Sequence, residues 1–378
     1  MASIFTFPNR ILFGEGAISL LGSELQRLGV RRPLVVTDPG VVATGLTTRA
    51  FDGLQAPMVF DGVVTNPTED DVLAGIDRYA SGRCDGLVAI GGGSAIDAAK
   101  AIRLMVTHPG VLADYDFTTG GAELITSDLP PMVAVPTTAG TGSEAGRGAS
   151  IQIPATGRKT IILSPFLLPS VAIDDPELVV SLPIEMTSGT AMDALSHCIE
   201  SYLSTAFHPI CDGLALQGLR HLARGIESSA MDGSNLRARR DCLMGALLGG
   251  ISFHKGLGVV HALTHALGAE GRAHHGTLNA ILLPHAIRFN REAAESRMND
   301  VASTLGLGRG GDGPAHLISL SEILLAKLPL PRRLERVDGL RHAKISDYAR
   351  LAMLDPCRLT NPRTCYQDEL EDLLDRAW

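Results

Sequence analysis

The sequence predicts two domains of different class: an α/β domain with an open, Rossmann-like parallel sheet over residues 1–180, and an all-α domain over residues 181–378. Three observations carry this expectation. A chain of 378 residues exceeds what one hydrophobic core ordinarily organises. Between about Arg32 and Asp175, short apolar runs alternate with longer segments of helical spacing, the rhythm of parallel strands joined by right-handed crossovers. Beyond about Pro183, almost every segment repeats apolar residues at three- and four-residue intervals.

In order, PLVVTD (33–38) is expected as a strand ending in Asp38, followed by one helical run, VVATGLTTRAFDGL (41–54). PMVFDGVV (57–64) is a second strand. TEDDVLAGIDRYASG (68–82) opens with a Thr cap and an acidic first turn, which suits a helix N-terminus. GLVAIGGGS (86–94) is a buried strand entering a glycine turn, SAIDAAKAIRLMV (94–106) the helix that follows, and PMVAVP (131–136) another strand. GASIQIPATGRKTIILS (148–164) breaks the rhythm as a hairpin, and VAIDDPELVVSLP (171–183) is expected to leave the sheet, punctuated by its prolines. The segments 213–228, 236–253, 277–291 and 319–328 then read as amphipathic helices of a bundle.

Composition narrows the function classes. A hydrophobic fraction of 45% with 20% charged residues describes a well-buried globular chain. The net charge of −8, with no Lys/Arg stripe to offset it, excludes a general nucleic-acid binder and leaves small molecules as partners. Six cysteines without a CxxC pair read as free thiols of a reducing compartment. With no signal-peptide pattern and no apolar stretch long enough for a bilayer, the expected location is cytoplasmic, away from membranes.

The chemistry concentrates between Met192 and His275. Asp193 and His197 stand four residues apart in a helical segment and therefore share one face. His261 and His265 follow in a second helical segment, and His274 and His275 come after the turn GAEGRAH. One carboxylate and three imidazoles suit a divalent first-row transition metal. A lone histidine of this kind is more often a core or surface residue; four in this order point to a metal.

Two loops suit a dinucleotide. GGGSAIDAAK (91–100) joins a buried strand to a helix, where backbone N–H groups and the helix N-terminus favour a phosphate, although it has neither G-x-G-x-x-G spacing nor a Walker lysine. PTTAGTGSE (136–144) leaves a second buried strand at the same edge, where open α/β sheets bind ligands. Asp38 at a strand end suits an adenosine ribose and repels a 2′-phosphate, favouring NAD over NADP, although a helix-capping role competes. Lys159 in the hairpin is either a solvated charge or a nucleotide contact.

The motifs GGGSAIDAAK, PTTAGTGSE, MDALSHCIE (192–200) and HALTHALGAEGRAHHGTLNAILLPH (261–285) together resemble the iron-containing (group III) alcohol dehydrogenases. The similarity runs from the opening FxFPxRIxFGEGA to the closing CRLTNPR, nearly the whole chain. It implies the dehydroquinate-synthase-like fold of that family, with a nucleotide domain, a helical domain and an active site in the cleft between them. It implies Asp193, His197, His261 and His275 as ligands of Fe2+, with Zn2+ as the alternative occupant. Gly92, Gly93, Ser94 and Asp97 would hold the NAD pyrophosphate, and Asp38, Asn66, Thr137, Thr138, Thr141 and Lys159 the rest of the cofactor. His265 would lie near the nicotinamide and join a proton relay; His274 takes no ligand role.

VVTDPGVVA, CDGLVAIGGGS, GSEAGRGASI, FHKGLGVVH and HHGTLNA are most similar to the branch that includes 4-hydroxybutyrate dehydrogenases. The expected activity is therefore metal-dependent, NAD(H)-linked hydride transfer with a small primary alcohol or aldehyde, 4-hydroxybutyrate and succinate semialdehyde included. Arg147 and Lys255 are the two cations best placed in sequence to reach the cleft; Arg147 either holds a substrate carboxylate or is a surface residue of a polar turn. Ala266 stands where the family commonly has proline, which puts the loop leading to His275 in question. A metal- and NAD-dependent lyase of the same architecture is the competing class, and a non-enzymatic metal sensor a distant third. The family also suggests a homodimer or larger homo-oligomer, for which the apolar segment SIFTF (3–7) is a candidate pairing strand.

Overall fold

The computed structural model describes residues 9–269, 273–308 and 311–378. The segment SIFTF, the central residues of the turn GAEGRAH and two residues of the glycine-rich loop at 305–314 lie outside them. The described chain divides into two compact units. One takes the residues up to Thr138 together with Ser143–Ser181; the other takes Ala139–Gly142 and Leu182–Trp378.

The first unit is built on six strands: β1 (Arg10–Phe13), β2 (Pro33–Val36), β3 (Met58–Phe60), β4 (Gly86–Gly91), β5 (Met132–Pro136) and β8 (Val171–Asp174), in the order β1-β8-β5-β4-β2-β3. Every pairing is parallel. The strands β2, β4, β5 and β8 are buried along their whole length, as a parallel sheet covered on both faces requires. Side chains alternate between two cores. Leu34, Val36, Leu87, Ala89, Met132 and Ala134 pack with Val72 of α4 (Glu69–Ser81) and Ile102 of α5 (Gly93–Met105). Val35, Val88, Ile90, Val133, Val135 and Ile173 pack with Leu21 and Leu25 of α1 (Leu21–Leu28). Thr68 closes a capping box with Asp71 and so fixes where α4 begins.

Three details differ from the sequence-based expectation. Residues 171–183 do not simply leave the sheet: Val171–Asp174 is an interior strand, and only the Asp175-Pro176 step ends it. Arg10–Phe13 adds an edge strand ahead of the predicted start of the sheet, pairing Ile11 with Ala172. The run 41–54 is two short helices, α2 (Pro39–Ala43) and α3 (Leu46–Ala50), because Gly45 adopts a left-handed conformation that stops the first. The hairpin forms as expected from β6 (Gly148–Ile153) and β7 (Arg158–Leu163), with Ile151 opposite Thr160.

Beyond Pro183 the described residues contain no strand. The helices are α6 (Ile184–Leu203), α7 (Pro209–Met231), α8 (Leu236–Ser252), α9 (Val259–Gly268), α10 (His275–Asn290), α11 (Glu295–Thr304), α12 (Gly313–Lys327), α13 (Ile345–Ala352) and α14 (Gln367–Ala377). α6 is the axis of this unit and is buried continuously from Thr187 to Leu203. Polar residues on so enclosed a helix must be satisfied or functional. No single described helix is long and apolar enough to cross a membrane.

One polar cluster sits inside the sheet unit. The fully buried Lys100 ammonium donates to the carbonyls of Ser143, Gly146 and Gly148 and to Ser143 Oγ, at 2.7–2.9 Å. Beside it the buried carboxyls of Glu144 and Asp174 face one another, and neither Asp174 oxygen has a donor of its own. Burial, only partly offset by hydrogen bonds and Lys100, pushes Glu144 up to about 7, and burial and Glu144 together push Asp174 well above the usual carboxylate range. A carboxyl raised in the folded state contributes full stability below its unfolded value and loses it as pH rises toward the folded one. Stability is therefore expected to fall between about pH 4.5 and about pH 7 through this pair. Asp174→Asn, which removes one of the two charges, is expected to raise Tm at pH 8 and to change it little or lower it at pH 4.5; an equal shift at both pH values by scanning calorimetry would contradict the upward shift of this carboxyl pair.

Candidate active site

The Asp193 carboxylate, 2% exposed on α6, is the focus of the helical unit. Its Oδ1 lies 3.8 Å from His197 Nδ1, 3.6 Å from His261 Nε2 and 3.6 Å from His275 Nε2. Three helices supply these groups: α6 gives Asp193 and His197 one turn apart, α9 gives His261, and His275 opens α10. The rings of His197 and His261 stack with centroids 4.5 Å apart, and those of His261 and His275 lie 5.5 Å apart.

Asp193, His261 and His275 fit a divalent cation, one ligand-type atom of each lying within 4.8 Å of the others, and His197 stands beside this trio with its Nδ1 3.8 Å from Asp193 Oδ1. Ligand atoms bound at 2.0–2.1 Å to one tetrahedral ion stand about 3.4 Å from one another, close to the spacings around Asp193 Oδ1. His197 Nδ1 is buried with no hydrogen-bond partner. Burial, outweighing Asp193, pushes His197 down to about 4, so its imidazole is neutral and its lone pair available. Burial alone would raise Asp193, yet His197, His275 and His261 together hold it far below the usual carboxylate range. Burial would likewise lower His261, but Asp193 and Glu200 raise it to about 9. A proton on His261 and a cation between the ligands answer the same buried negative charge, so metal and proton compete here.

The sequence did not single out Glu200, yet this residue aims the site. Its Oε2 stands 2.7 Å from His261 Nδ1, and its two oxygens accept the backbone N–H groups of Val260 and His261 at the start of α9. The carboxylate fixes the ring so that Nε2 faces Asp193. The signal was present in MDALSHCIE, where Glu200 falls seven residues after Asp193 and thus on the same helix face. Asn279 was also missed: one turn after His275, its amide donates to Asp193 Oδ1 at 2.7 Å and lies 3.2 Å from His261 Nε2.

Close helix packing sets the register of His275. A Cβ on Gly276 would come 2.0 Å from the Gly189 carbonyl, and one on Gly189 would come 2.6 Å from His274 Nδ1. Two glycines therefore let α10 start directly against α6. His274 is the N-cap residue of α10, packed on Gly189 and kept neutral by burial, and it makes no approach to Asp193 comparable to that of His275.

His265, one turn beyond His261, has its ring 5.4 Å from that of His275 and donates through Nδ1 to Asp355 Oδ2 at 2.8 Å. Lys255 does not face this group. Its ammonium is buried against Asp212 Oδ1 at 2.6 Å and the Tyr202 carbonyl at 3.0 Å, which accounts for its charge without a substrate carboxylate.

The sheet unit gathers the nucleotide candidates at the carboxyl ends of β2, β4 and β5. Gly92 caps α5, its neighbours Gly93 and Ser94 open the helix, and a Cβ at Gly92 would reach the Thr138 side chain at 3.1 Å. Thr137 N bonds the Gly91 carbonyl, tying the two loops together. Asp38 caps α2 by accepting Val41 N at 3.0 Å through Oδ1, which leaves Oδ2 beside Gly91. Asn66, in a left-handed conformation, joins Ser94 to the hairpin: its N–H meets Ser94 Oγ at 3.3 Å and its Oδ1 accepts from Lys159 Nζ at 3.2 Å.

Asp97 does not join this group. Its oxygens accept Ser143 Oγ at 2.6 Å and Ser150 N at 3.0 Å, so it braces the loop and hairpin and is reassigned from phosphate contact to support. Thr141 falls in the short stretch grouped with the helical unit. Arg147 is half-buried in the turn before β6, where its carbonyl accepts Ser164 N.

A parallel-sheet unit with a phosphate-type glycine turn, followed by a helical unit with a buried one-carboxylate, three-imidazole cluster, defines the class of metal- and dinucleotide-dependent enzymes. Family comparison narrows this further. Residues 8–176 match the model for iron-containing alcohol dehydrogenase and residues 187–378 the model for the C-terminal part of the same family. The chain belongs to the iron-containing alcohol dehydrogenase family, and it is an NAD-linked oxidoreductase of that type. It is 42% identical over 384 residues to 4-hydroxybutyrate dehydrogenase of Cupriavidus necator, covering 100% of both chains. Among solved structures it is similar to 1,3-propanediol oxidoreductase, with a TM-score of 0.92 and 35% identity over 100% of both chains. It is also similar to sulfoacetaldehyde reductase of Bifidobacterium kashiwanohense in complex with NAD+, with a TM-score of 0.89 and 28% identity over 100% of this chain and 99% of that one.

Glu200→Gln keeps the shape of the side chain but removes the charge behind His261. It is expected to weaken metal binding by roughly 10- to 100-fold, as loss of such outer contacts does elsewhere. Gly276→Ala should cost metal and activity together while leaving helix content intact, by metal analysis and far-UV circular dichroism.

Proposed function

We propose that the chain interconverts ω-hydroxy acids and their semialdehydes with NAD(H), 4-hydroxybutyrate and succinate semialdehyde being the leading pair. The observation that carries this reading is the full-length, 42% identity to 4-hydroxybutyrate dehydrogenase, joined to an Asp193–His261–His275 group that fits a divalent cation, with His197 beside it as the fourth proposed ligand. Residues 1–180 serve as the nucleotide domain and 181–378 as the metal domain. A ferrous or zinc ion held by Asp193, His197, His261 and His275 would supply Lewis-acid chemistry at the reacting oxygen, and a nicotinamide held by the sheet unit would supply hydride chemistry.

The chain's own residues do the rest. Asp193 neutralises the cation's charge, and Glu200 and Asn279 hold the ligand side chains in place. The turn Gly92–Ser94 and the α5 N-terminus receive the diphosphate. Asp38, Asn66, Thr137, Thr138, Thr141 and Lys159 contact the remainder of the cofactor, with Asp38 selecting against a 2′-phosphate. His265 exchanges the proton of the alcohol with solvent. Arg147 pairs with the distal carboxylate of the substrate. The active form is a homodimer or larger homo-oligomer, as SIFTF and the family suggest.

Two measurements test this reading. His261→Ala is expected to abolish bound metal and turnover together; retention of full metal content would remove His261 from the ligand set. Arg147→Ala is expected to depress kcat/KM for succinate semialdehyde by at least about tenfold more than for butanal. Equal losses on the two aldehydes, with NADH consumed, would remove the carboxylate contact and leave a plain alcohol dehydrogenase.

A further inference from the structure

The closing motif CRLTNPR has no part in the site as described so far, yet it runs as a strap along α9, the helix that carries His261 and His265. At the start of α9, Asn361 Oδ1 accepts Val259 N at 3.2 Å, and Thr360 Oγ1 donates to the Leu257 carbonyl at 2.7 Å. Two turns along, Asp355 Oδ2 meets His265 Nδ1 at 2.8 Å. Asp355 is 7% exposed and is itself fixed, since its Oδ1 accepts Cys357 N at 2.8 Å and caps the short helix Pro356–Thr360. The Cys357 thiol also donates to this carboxylate, and burial with that contact raises the thiol well above its usual range, so the sulfur stays protonated. His265 and the two N–H and S–H donors of Cys357 overcome burial and hold Asp355 below the usual carboxylate range.

An ionised carboxylate only accepts hydrogen bonds, so the His265 nitrogen that faces it carries the proton. That assignment leaves Nε2 as the nitrogen able to exchange a proton, and no hydrogen bond to it forms among the described residues. The His265 ring is 14% exposed and lies 5.4 Å from that of His275, whereas Asp355 has no opening of its own. Asp355, His265 and Cys357 also bring three ligand-type atoms within 4.8 Å, but each is already bonded to another of the three, which argues for an orienting network and against a second metal centre.

We infer that Asp355 is a positioning residue for proton transfer: through Nδ1 it fixes the tautomer and tilt of His265, so that Nε2 receives the hydroxyl proton on alcohol oxidation and returns it on aldehyde reduction. This rests on the dehydrogenase reading above. The proton passes between substrate oxygen and Nε2, the hydride between carbinol carbon and nicotinamide, and Asp355 gains and loses nothing.

A double-mutant cycle on the metal-loaded enzyme tests it. Asp355→Asn presents an amide that favours the opposite tautomer, and is expected to lower kcat by roughly tenfold or more with KM and metal content within about twofold. In a His265→Ala background the same change is expected to alter kcat by less than about twofold, because the group through which Asp355 acts is gone. An equal loss in both backgrounds, or an unchanged kcat in the single variant, overturns the inference. A second measurement needs no folded Asp355 variant: 15N spectra of histidine-labelled, zinc-loaded wild type, assigned by His265→Ala, are expected to show His265 protonated at Nδ1, and a proton at Nε2 in the neutral ring overturns it. Wild type that turns over NADH while the cycle is additive defeats this inference alone; wild type with no activity on any aldehyde defeats the dehydrogenase reading and this inference with it.

Discussion

A carboxylate buried among imidazoles is the constraint from which the helical unit follows. Removing a carboxylate from water costs several kcal/mol unless opposite charge and hydrogen bonds surround it. Asp193 is withdrawn to 2% exposure on a helix enclosed on all sides, and nothing apolar can answer it. His197 comes free with the helix period, but His261 and His275 must be delivered from two other helices to within 3.6 Å. The packing of α6, α9 and α10 is in that sense set by one charge.

Delivery at that distance leaves little room for ordinary side chains. α10 begins against α6 only because position 276 and position 189 both lack a Cβ, and a methyl group at the former would stand inside the Gly189 carbonyl. α9 is secured differently. Its first N–H groups, buried and without a partner inside the helix, are taken by Glu200 and by Asn361, so the same contacts that cap the helix also set the rotation of His261 about its axis. Capping and ligand orientation are one set of hydrogen bonds here, and weakening the cap turns the ring.

How much of this was legible depended on whether the signal was periodic. The strands and the hairpin carried runs of buried or alternating apolar residues, and the four ligand-type residues stood in motifs of fixed spacing, so both could be read. Val171–Asp174 was misread because two carboxylates and a proline follow it, although its four residues are as buried as any interior strand. Gly45 split a helix whose apolar spacing is otherwise unbroken. Glu200 and Asp355 escaped notice for another reason: each acts across 60 to 90 residues of chain, Glu200 on His261 and Asp355 on His265, and no local pattern marks such a partnership. Lys255 shows the converse error. Its place in the sequence, just before α9, suggested a contact to a substrate carboxylate, but its ammonium is bonded to Asp212, 43 residues away.

The sheet unit handles its charges differently, by turning them away from the glycine turn that opens α5. α5 carries a lysine, as many nucleotide-binding helices do, but Lys100 points inward and spends its donors on Ser143, Gly146 and Gly148. Asp97, on the same helix, reaches Ser143 and Ser150 instead of facing the glycine turn, where its charge would repel an anion. Two of the three ionic side chains of the helix, Asp97 and Lys100, are thereby used to lock the loop that follows β5 onto α5, while the third, Arg103, bonds the carbonyls of Pro130, Phe166 and Leu168. It follows that Ser143–Gly148 and the Lys100 turn of α5 move as one piece, since shifting either breaks the buried contacts of Lys100.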